Sequence, residues 1–473
     1  LIQIMNNFHF AKIITGVAPT LAKETVLSKV INMVDVFRMS LSGGFDDNNK
    51  KYIDTIMKLD NSKTIMLELK GTDLRVKNVM NIKLKEKQII QVEYSEYAQE
   101  SNKKIFIDAP FLSELKAGQI IKFGQSGVSI KVKNIKEENI TCEVIQGGEL
   151  IQFDKVTFKD YDLNLPFLTD KDKKDILWGL EYGIHIISAP NIKSKEDIFL
   201  LKEFLASQNV DKMKIMAKIE TKEALDNFEG ILQISDGIIF AFDKIEKFMK
   251  DKKVIDEKLM KKCKDLGKPI IITVNGNFVK GKYQHINESV IKRFCGLTVD
   301  AYMIETILKE EESLDIITEL SDTLDKNELK IGDQHLNKFF EKNEDFAVRD
   351  YIIYNAYRAT KEIEIRAIVS YTENGYTTAR LSSLNPIIPL ISFTKNDETY
   401  RFLNMLRGVK GYKISQSFSY ENLKRIGKEM IRIIFKGNIS LDDKILIVQA
   451  NEMIKDEKTG MINGLELYKF KNI

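Results

Sequence analysis

Short apolar runs rich in β-branched residues recur along the first two thirds of the chain, and amphipathic stretches separate them. This alternation is typical of βα units, and runs that are apolar at nearly every position predict strands buried on both faces. Eight such strands, each leading into a helical stretch, favour a closed TIM (β/α)8 barrel over an open sheet. The predicted strands are residues 11–15, 34–40, 64–69, 184–188, 214–220, 237–242, 269–274 and 301–305.

The pattern changes in residues 76–163, between the third and fourth predicted strands. The segments IIKFGQSGVSIKV and ENITCEVIQGGEL alternate with a period of two around Gly turns, which predicts a small antiparallel β domain, a β-barrel insert. Loops that follow barrel strands emerge at the carboxyl end of the barrel, where active sites lie in this fold. The insert is therefore expected to cover the site as a lid.

A further α/β region begins near residue 326, with the helix DFAVRDYIIYNAYRATKEI and the strands RAIVSYT, PIIPLISFT, KILIVQA and LELYKF. This change of pattern predicts a separate C-terminal domain. The predicted domains are a discontinuous barrel of residues 1–75 and 164–325, a β lid of residues 76–163 and an α/β domain of residues 326–473.

Composition argues against several functional classes. The 72 Lys and Arg residues balance 69 Asp and Glu residues, so the net charge of +3 gives no support for nucleic-acid or membrane-surface binding. No apolar run reaches the ~18 residues of a membrane helix, and no secretory-signal pattern is visible. Cys142, Cys263 and Cys295 are widely spaced and match neither a disulfide framework nor a metal motif. We expect a cytoplasmic protein.

One strand exit carries candidate chemistry. In KIMAKIETKEALDNFEGILQISDGIIFAFD, residues 214–243, Lys218 and Glu220 are two positions apart and therefore share a strand face. A lysine and a carboxylate that face the same way suit a metal-assisted anion site. An ion pair at a surface strand end gives the same pattern, so both interpretations remain open.

Several segments resemble the motifs of pyruvate kinases. KIITGVAPT resembles KI.ATIGPAS, VDVFRMSLSGG resembles MNVARLNFSHG, IMLELKGTDLR resembles ILLDTKGPEIR, and MAKIETKEALDNFEGILQISDGI resembles IAKIEN.EG..NFDEIL..SDGI. Their order and spacing extend the resemblance over nearly the whole chain. The resemblance implies glycolytic phosphoryl transfer from phosphoenolpyruvate to ADP, which gives pyruvate and ATP, with Mg²⁺ and K⁺ as cofactors and a tetrameric assembly.

The resemblance also assigns roles to individual residues. Lys218 matches the lysine that supports the transferred phosphoryl group, and Glu220 matches a glutamate that binds the divalent metal. Arg38 matches the arginine that contacts the transferred phosphate. Arg75 matches an arginine near the nucleotide, and Pro19 falls in the loop that lies against the nucleotide.

Two loops depart from the family pattern. The loop ARGDLG after the sixth strand is AFDKIE here, so Phe242 replaces an arginine, and Asp243, after a one-residue shift, is the candidate second metal carboxylate. Mg²⁺ needs a nearly octahedral oxygen shell, and the lost glycines would allow close backbone approach to substrate. Val274 stands where the family has a threonine hydroxyl that assists substrate binding and enolate protonation.

The monovalent-cation and lid positions depart as well. The potassium ligands would be Ser40, Ser42, Glu68 and Leu69, of which Leu69 offers only a backbone carbonyl, so K⁺ binding is expected to be weakened or lost. Asp154 stands at a lid lysine that meets phosphate, and the neighbouring Lys155 is a candidate substitute. The eighth strand ends in MIETIL where the family has MLSGETA.

The C-terminal loop TENGYTTAR matches the place where many family members hold a sugar-phosphate effector. Hydroxyl and backbone N–H groups there are suited to a phosphate, whereas the charge of Glu373 opposes one. An ordinary Gly-containing turn is the alternative. The candidate effector residues are Thr372, Asn374, Gly375, Thr377 and Thr378.

The mixture of retained and altered residues favours a pyruvate-kinase fold with weak or absent catalysis, a pseudoenzyme that acts as a structural or regulatory subunit with an active paralogue, in a homo- or hetero-tetramer. One alternative is an active enzyme in which Asp243 completes the metal shell and Lys155 replaces the lid lysine. Another is a barrel lyase that forms a Schiff base on Lys218.

Overall fold

The computed structural model describes the chain except for a set of short segments, and Pro19 and Ser42 lie outside the described residues. The described residues are 9–17, 21, 23–41, 47–124, 126–136, 139–152, 154–159, 166–249, 258–279, 282–297, 299–305, 310–328, 348–415, 420–450 and 463–472. The chain divides into two compact units, residues 1–39, 50–68 and 181–473 in the first and residues 40–49 and 69–180 in the second. The predicted three-domain boundaries stay a prediction.

A closed barrel of eight parallel strands contains every strand predicted for it, which confirms the predicted fold class. The barrel strands are β1 (Lys12–Gly16), β2 (Val36–Ser40), β3 (Thr64–Glu68), β13 (Ile186–Ala189), β14 (Lys214–Ile219), β15 (Gly237–Phe240), β16 (Ile270–Val274) and β19 (Ala301–Ile304). They pair in the order β1-β19-β16-β15-β14-β13-β3-β2. All residues of β3, β13, β15, β16 and β19 are buried, as parallel strands covered on both faces require.

Helices follow the barrel strands and continue into the C-terminal part of the chain. They are α1 (Glu24–Val30), α2 (Asp47–Leu59), α3 (Asp170–Tyr182), α4 (Lys195–Ser207), α5 (Lys222–Asp226), α6 (Phe228–Ile234), α7 (Phe242–Ile245), α8 (Met260–Asp265), α9 (Glu288–Cys295), α10 (Glu310–Glu328), α11 (Val348–Glu362), α12 (Tyr376–Ser383), α13 (Asp397–Leu403) and α14 (Tyr420–Ile434). After β16 the chain forms an unpredicted hairpin of β17 (Gly276–Val279) and β18 (Lys282–Ile286). Among the described residues, no helix is both long and apolar enough to cross a bilayer.

The predicted insert is a β unit with its own apolar core. Its strands are β4 (Leu74–Arg75), β5 (Ile82–Leu84), β6 (Ile89–Tyr94), β7 (Lys104–Ile107), β8 (Ile120–Phe123), β9 (Ser129–Lys136), β10 (Asn139–Gln146), β11 (Gly148–Leu150) and β12 (Lys155–Lys159). Seven of them form a sheet in the order β4-β12-β8-β9-β10-β6-β7, and β11 pairs with β5. The sheet is antiparallel as predicted, except that β6 and β7 are parallel.

The C-terminal part contains a five-stranded sheet, and the sequence pattern predicts four of its strands but not the one at Val409–Lys413. Its strands are β20 (Ile365–Tyr371), β21 (Leu390–Thr394), β22 (Val409–Lys413), β23 (Lys444–Ala450) and β24 (Asn463–Lys469), and their order is β22-β21-β20-β23-β24. Four strands are parallel, and the edge strand β24 is antiparallel. One apolar cluster joins barrel residues such as Met216 to residues of this sheet such as Leu390.

Candidate functional site

Side chains of a β-strand point alternately to its two faces, and this alternation directs several charged side chains into the barrel. Four apolar side chains from four strands belong to one interior cluster: Val36, Met66, Met216 and Met303. Residues two positions apart share a strand face, so the next inward position on each strand lies one layer nearer the carboxyl ends. The residues at those positions are all charged: Arg38, Glu68, Lys218 and Glu305. A polar layer therefore lies above an apolar one, at the end of the barrel where TIM-barrel sites are found.

Lys218 is at the centre of this polar layer, and only 4% of the residue is exposed. Its ammonium lies 3.1 Å from Glu68 Oε1 and 4.0 Å from Glu220 Oε2, and it forms a close ion pair with Glu305. Lys218 and Glu220 thus share a face, as their spacing predicts. Both are buried, so the alternative of a surface ion pair at a strand end is wrong.

Arg38 closes the other side of the cluster. Its guanidinium pairs with Glu68 Oε2, and its Nη2 donates to the backbone carbonyl of Glu305 at 3.2 Å. Gly16, on the neighbouring strand β1, leaves the space that this guanidinium needs, because a Cβ at that position would lie 3.3 Å from Arg38 Nη2. Arg38 is therefore held by packing and by a carboxylate of the same layer on the adjacent strand.

Glu220 receives hydrogen bonds on both carboxylate oxygens. Oε1 accepts from the backbone N–H of Asn191 at 2.7 Å, and Oε2 accepts from the Lys244 ammonium at 2.5 Å. Lys244 belongs to α7, the single helical turn that replaces the family's glycine-containing loop after β15. The predicted metal glutamate therefore has a protein cation as its nearest charged partner.

Six charged side chains make up the barrel-mouth cluster, and their positive and negative charges are equal in number. The members are Arg38, Lys218 and Lys244, which are cationic, and Glu68, Glu220 and Glu305, which are anionic. Burial opposes ionisation of Glu68, but the charges of Arg38 and Lys218 outweigh burial and lower the pKa of Glu68 to about 2. Burial likewise opposes the charge of Lys218, yet the Glu68 and Glu305 carboxylates raise its pKa above the ordinary value. Glu68 and Lys218 therefore stay ionised at neutral pH.

Asp243, the candidate second metal carboxylate, is held by residues on the neighbouring strand end. Its carboxylate accepts a close hydrogen bond from Asn275, and Thr273 Oγ1 lies 3.5 Å from Oδ1. Phe242, which replaces the family's arginine, packs edge-on against Phe294 with ring centroids 5.1 Å apart. The loop after β15 thus buries an aromatic ring where the resemblance leads one to expect a charged group.

These residues do not form a ready site for Mg²⁺. A divalent cation prefers several oxygen ligands that are available to it, whereas Glu220 is engaged by Lys244 and Asn191. Across the described part of the chain, no group of three or more His, Cys, Asp or Glu residues is placed to hold a metal ion. The role of Asp243 as a metal ligand remains a prediction.

The predicted potassium ligands are only partly described. Both oxygens of Glu68 contact cationic side chains, Arg38 and Lys218, so a monovalent cation would compete with two protein charges. Ser40 ends β2 and is half-buried. The weakened K⁺ site therefore stays a prediction.

The predicted nucleotide and lid cations lie together in the second unit. Strand β12 pairs with β4 so that Lys155 is opposite Arg75, and Asp73 binds both of them. Lys155 Nζ is 2.7 Å from Asp73 Oδ1, and Arg75 Nη2 is 3.3 Å from Asp73 Oδ2. Asp154 is buried and accepts the backbone N–H of Ser126 at 2.9 Å, so its carboxylate stabilises a turn.

The predicted effector residues lie between β20 and α12 and in the first turn of α12. Thr372 Oγ1 accepts the N–H of Gly375 at 3.0 Å, and Asn374 Oδ1 accepts the next N–H at 3.1 Å. Thr378 is fully buried, and its hydroxyl lies 2.9 Å from that of Ser392. Thr377 is also buried. Several of the groups proposed for a phosphate thus already stabilise the turn and the helix, and effector binding stays a prediction.

Sequence reasoning missed two members of the barrel-mouth cluster, Lys244 and Glu305. Both lie in loops identified as departures from the family, AFDKIE and MIETIL. The period of two that ties Met303 to Glu305 is a signal that points Glu305 inward. For Lys244 the local sequence offers no such signal, because it follows the strand.

Two family models match the chain, "Pyruvate kinase, barrel domain" over residues 8–276 and "Pyruvate kinase, alpha/beta domain" over residues 350–465. A curated relative named pyruvate kinase from Clostridium perfringens (strain 13 / Type A) is 25% identical over 430 residues, which cover 87% of this chain and 89% of that protein. Another of the same name from Staphylococcus aureus (strain MRSA252) is 24% identical over 481 aligned residues, with 97% and 80% covered. The barrel model alone spans more than half of the chain.

Proposed function

This chain belongs to the pyruvate kinase family, and from that premise we propose that it transfers phosphate from phosphoenolpyruvate to ADP weakly or not at all, and that it serves as a structural or regulatory subunit of an active paralogue. The proposal rests on one observation, the balance of charge in the barrel-mouth cluster. The three cationic side chains are matched by three carboxylates within the described residues.

Charge balance matters because phosphoryl transfer depends on neutralising a phosphate and on placing it correctly. Lys218, which the resemblance assigns to the phosphoryl group, already has a close partner in Glu305 and a second in Glu68 at 3.1 Å. An incoming phosphate would have to displace one of these carboxylates or be repelled by it. Loss of one well-placed group typically costs ~2.7–4 kcal/mol of transition-state stabilisation.

The family's Mg²⁺, when bound, would neutralise developing charge on the transferred group. The described residues do not fit it, because the Lys244 ammonium lies 2.5 Å from Glu220 Oε2. What this chain's own residues do is hold Arg38 and Lys218 at fixed positions above the apolar layer. They position cations, but they leave no surplus of positive charge for the dianionic phosphoryl group of the substrate.

Turnover by the purified chain tests the proposal. In a coupled assay with phosphoenolpyruvate, ADP, Mg²⁺ and K⁺, we expect a rate at least about a hundredfold below that of the C. perfringens enzyme assayed in parallel. Lys218→Met provides the background, and the wild-type rate should lie close to it. A wild-type rate that approaches the reference enzyme and is abolished by Lys218→Met would refute weak catalysis.

The subunit role needs its own measurement. We expect the chain, mixed with an active paralogue from the same source, to form a joint assembly detectable by mass, and to change the stability or the rate of that paralogue. Two separate homo-oligomers with unchanged kinetics would contradict the subunit role while leaving the weak catalysis untouched.

An active enzyme with a rebuilt site is the second candidate. It is favoured by the arrangement of Arg38, Lys218 and Glu220, which lie together at the carboxyl ends of their strands. In that case saturable binding of phosphoenolpyruvate should depend on Lys218, and the assay above would show substantial turnover.

A further inference from the structure

We infer that the Lys244 ammonium pairs with the Glu220 carboxylate in place of a divalent cation and prevents such an ion from binding there. The chain carries its own positive charge at the position that the resemblance assigns to a metal. This inference rests on family membership and on the contacts of Glu220. It does not depend on whether the protein is active.

The backbone brings Lys244 to Glu220 through a short, well-anchored segment. Strand β15 ends at Phe240, and α7 begins directly at Phe242, whose buried ring packs on Phe294. The Lys244 N–H donates to the Ala241 carbonyl at 3.0 Å, which tightens this turn. An anchored turn gives the side chain a fixed starting point, so its ammonium reaches Glu220 Oε2 without help from a long flexible loop.

Every described contact of the Glu220 carboxylate is with a donor or a cation. The Asn191 N–H lies 2.7 Å from Oε1, the Lys244 ammonium 2.5 Å from Oε2, and the Lys218 ammonium 4.0 Å from Oε2. A divalent cation at Oε2 would therefore meet one ammonium in contact with that oxygen and another nearby. Like charges at such distances repel, and a mostly buried site screens them less than water does.

The balance of the cluster points the same way. With Lys244 in place, the three cations and three carboxylates cancel, and a metal would add two uncompensated charges to a mostly buried site. Without Lys244 the cluster would carry one surplus negative charge beside Glu220. Removal of a single side chain should therefore turn a carboxylate that excludes metal into one that attracts it.

Mn²⁺ titration of the full chain, followed by the electron paramagnetic resonance signal of the free ion, tests the inference. We expect wild type to show no saturable site that depends on Glu220, and Lys244→Ala to gain one with an affinity at least ~10-fold higher than any in wild type. Lys247→Ala is the matched control, because Lys247 lies on the same segment with its ammonium over the Phe248 ring and should leave Mn²⁺ binding unchanged.

The double variant Lys244→Ala with Glu220→Gln decides where a gained ion binds. Loss of the gained site in this variant supports the inference, whereas a site that survives lies elsewhere and overturns it. Wild type that already binds Mn²⁺ through Glu220 also overturns it, whatever its turnover. Conversely, substantial turnover without added divalent cation would refute the proposed weak catalysis and leave this inference standing. Circular dichroism of each variant confirms that it is folded before its titration is compared.

Discussion

Replacement of Glu305 by Gln should unbalance the barrel-mouth cluster while barely changing side-chain volume. The Lys218 ammonium loses its closest carboxylate and keeps Glu68 at 3.1 Å and Glu220 at 4.0 Å. The cluster then carries one surplus positive charge. The Arg38 contact is to the backbone carbonyl of residue 305, so it survives the substitution.

The structure sets the size of the effect between two limits. A unit-charge pair at 4 Å is worth about 4 kcal/mol at an effective dielectric constant of about 20, and a buried charge left without any partner costs about 3–5 kcal/mol. Lys218 keeps two of its three carboxylates, so the loss of folding free energy should be smaller than the ~3–5 kcal/mol expected for a buried charge without any partner. We expect Glu305→Gln to lower the free energy of unfolding by about 2 kcal/mol.

Urea unfolding followed by far-ultraviolet circular dichroism measures this change, and hydrogen exchange of the β14 and β19 amides locates it. Glu288→Gln is the control, because Glu288 pairs with Lys292 on an exposed helix face. An exposed pair of this kind contributes about 0–0.5 kcal/mol. The difference between the two variants therefore isolates the effect of burial.

A double-mutant cycle gives the sharpest refutation. Lys218→Met alone leaves a surplus negative charge, whereas Lys218→Met combined with Glu305→Gln restores neutrality. The pair should therefore cost less than the sum of the single variants, by about 1–2 kcal/mol. Additive losses, or a Glu305→Gln loss no larger than that of Glu288→Gln, would show that the cluster is not electrostatically coupled as described.

Two further outcomes follow from other parts of the first unit. His185 Nδ1 accepts the Ile65 N–H at 2.8 Å, and burial lowers the pKa of His185 to about 4, so the stability that neutral His185 contributes is present above about pH 6.5 and is lost as pH falls through 4. In thermal unfolding, His185→Asn keeps an acceptor and should lose less stability over that pH range than wild type. Equal losses would contradict this role. Gly375 has φ +89°, and a Cβ there would lie 3.1 Å from Phe402, whereas Gly118 has φ +97° and no neighbour within 4 Å. In urea unfolding, Gly375→Ala should therefore lower the free energy of unfolding by about 1 kcal/mol more than Gly118→Ala does. Equal losses would count against the contact with Phe402.

Local pattern was sufficient for much of the fold. Each predicted barrel strand is present, and the predicted strand LELYKF lies within β24 and the turn after it. These strands could be predicted because burial on one or both faces produces a recognisable pattern of apolar residues along the chain. The same period placed Lys218 and Glu220 on one face. The hairpin of β17 and β18 and the parallel pair β6–β7 escaped prediction, because such pairings depend on partners that the local pattern does not reveal.

The local alternation of side chains is thus enough to place Arg38, Glu68 and Lys218 on the inward face of their strands. It does not show that Glu305 and Lys244 contact this group, which follows only from the folded chain. Closure of the barrel and the turn after β15 bring together residues that are distant in the chain, and a Coulomb interaction depends on that spatial separation alone.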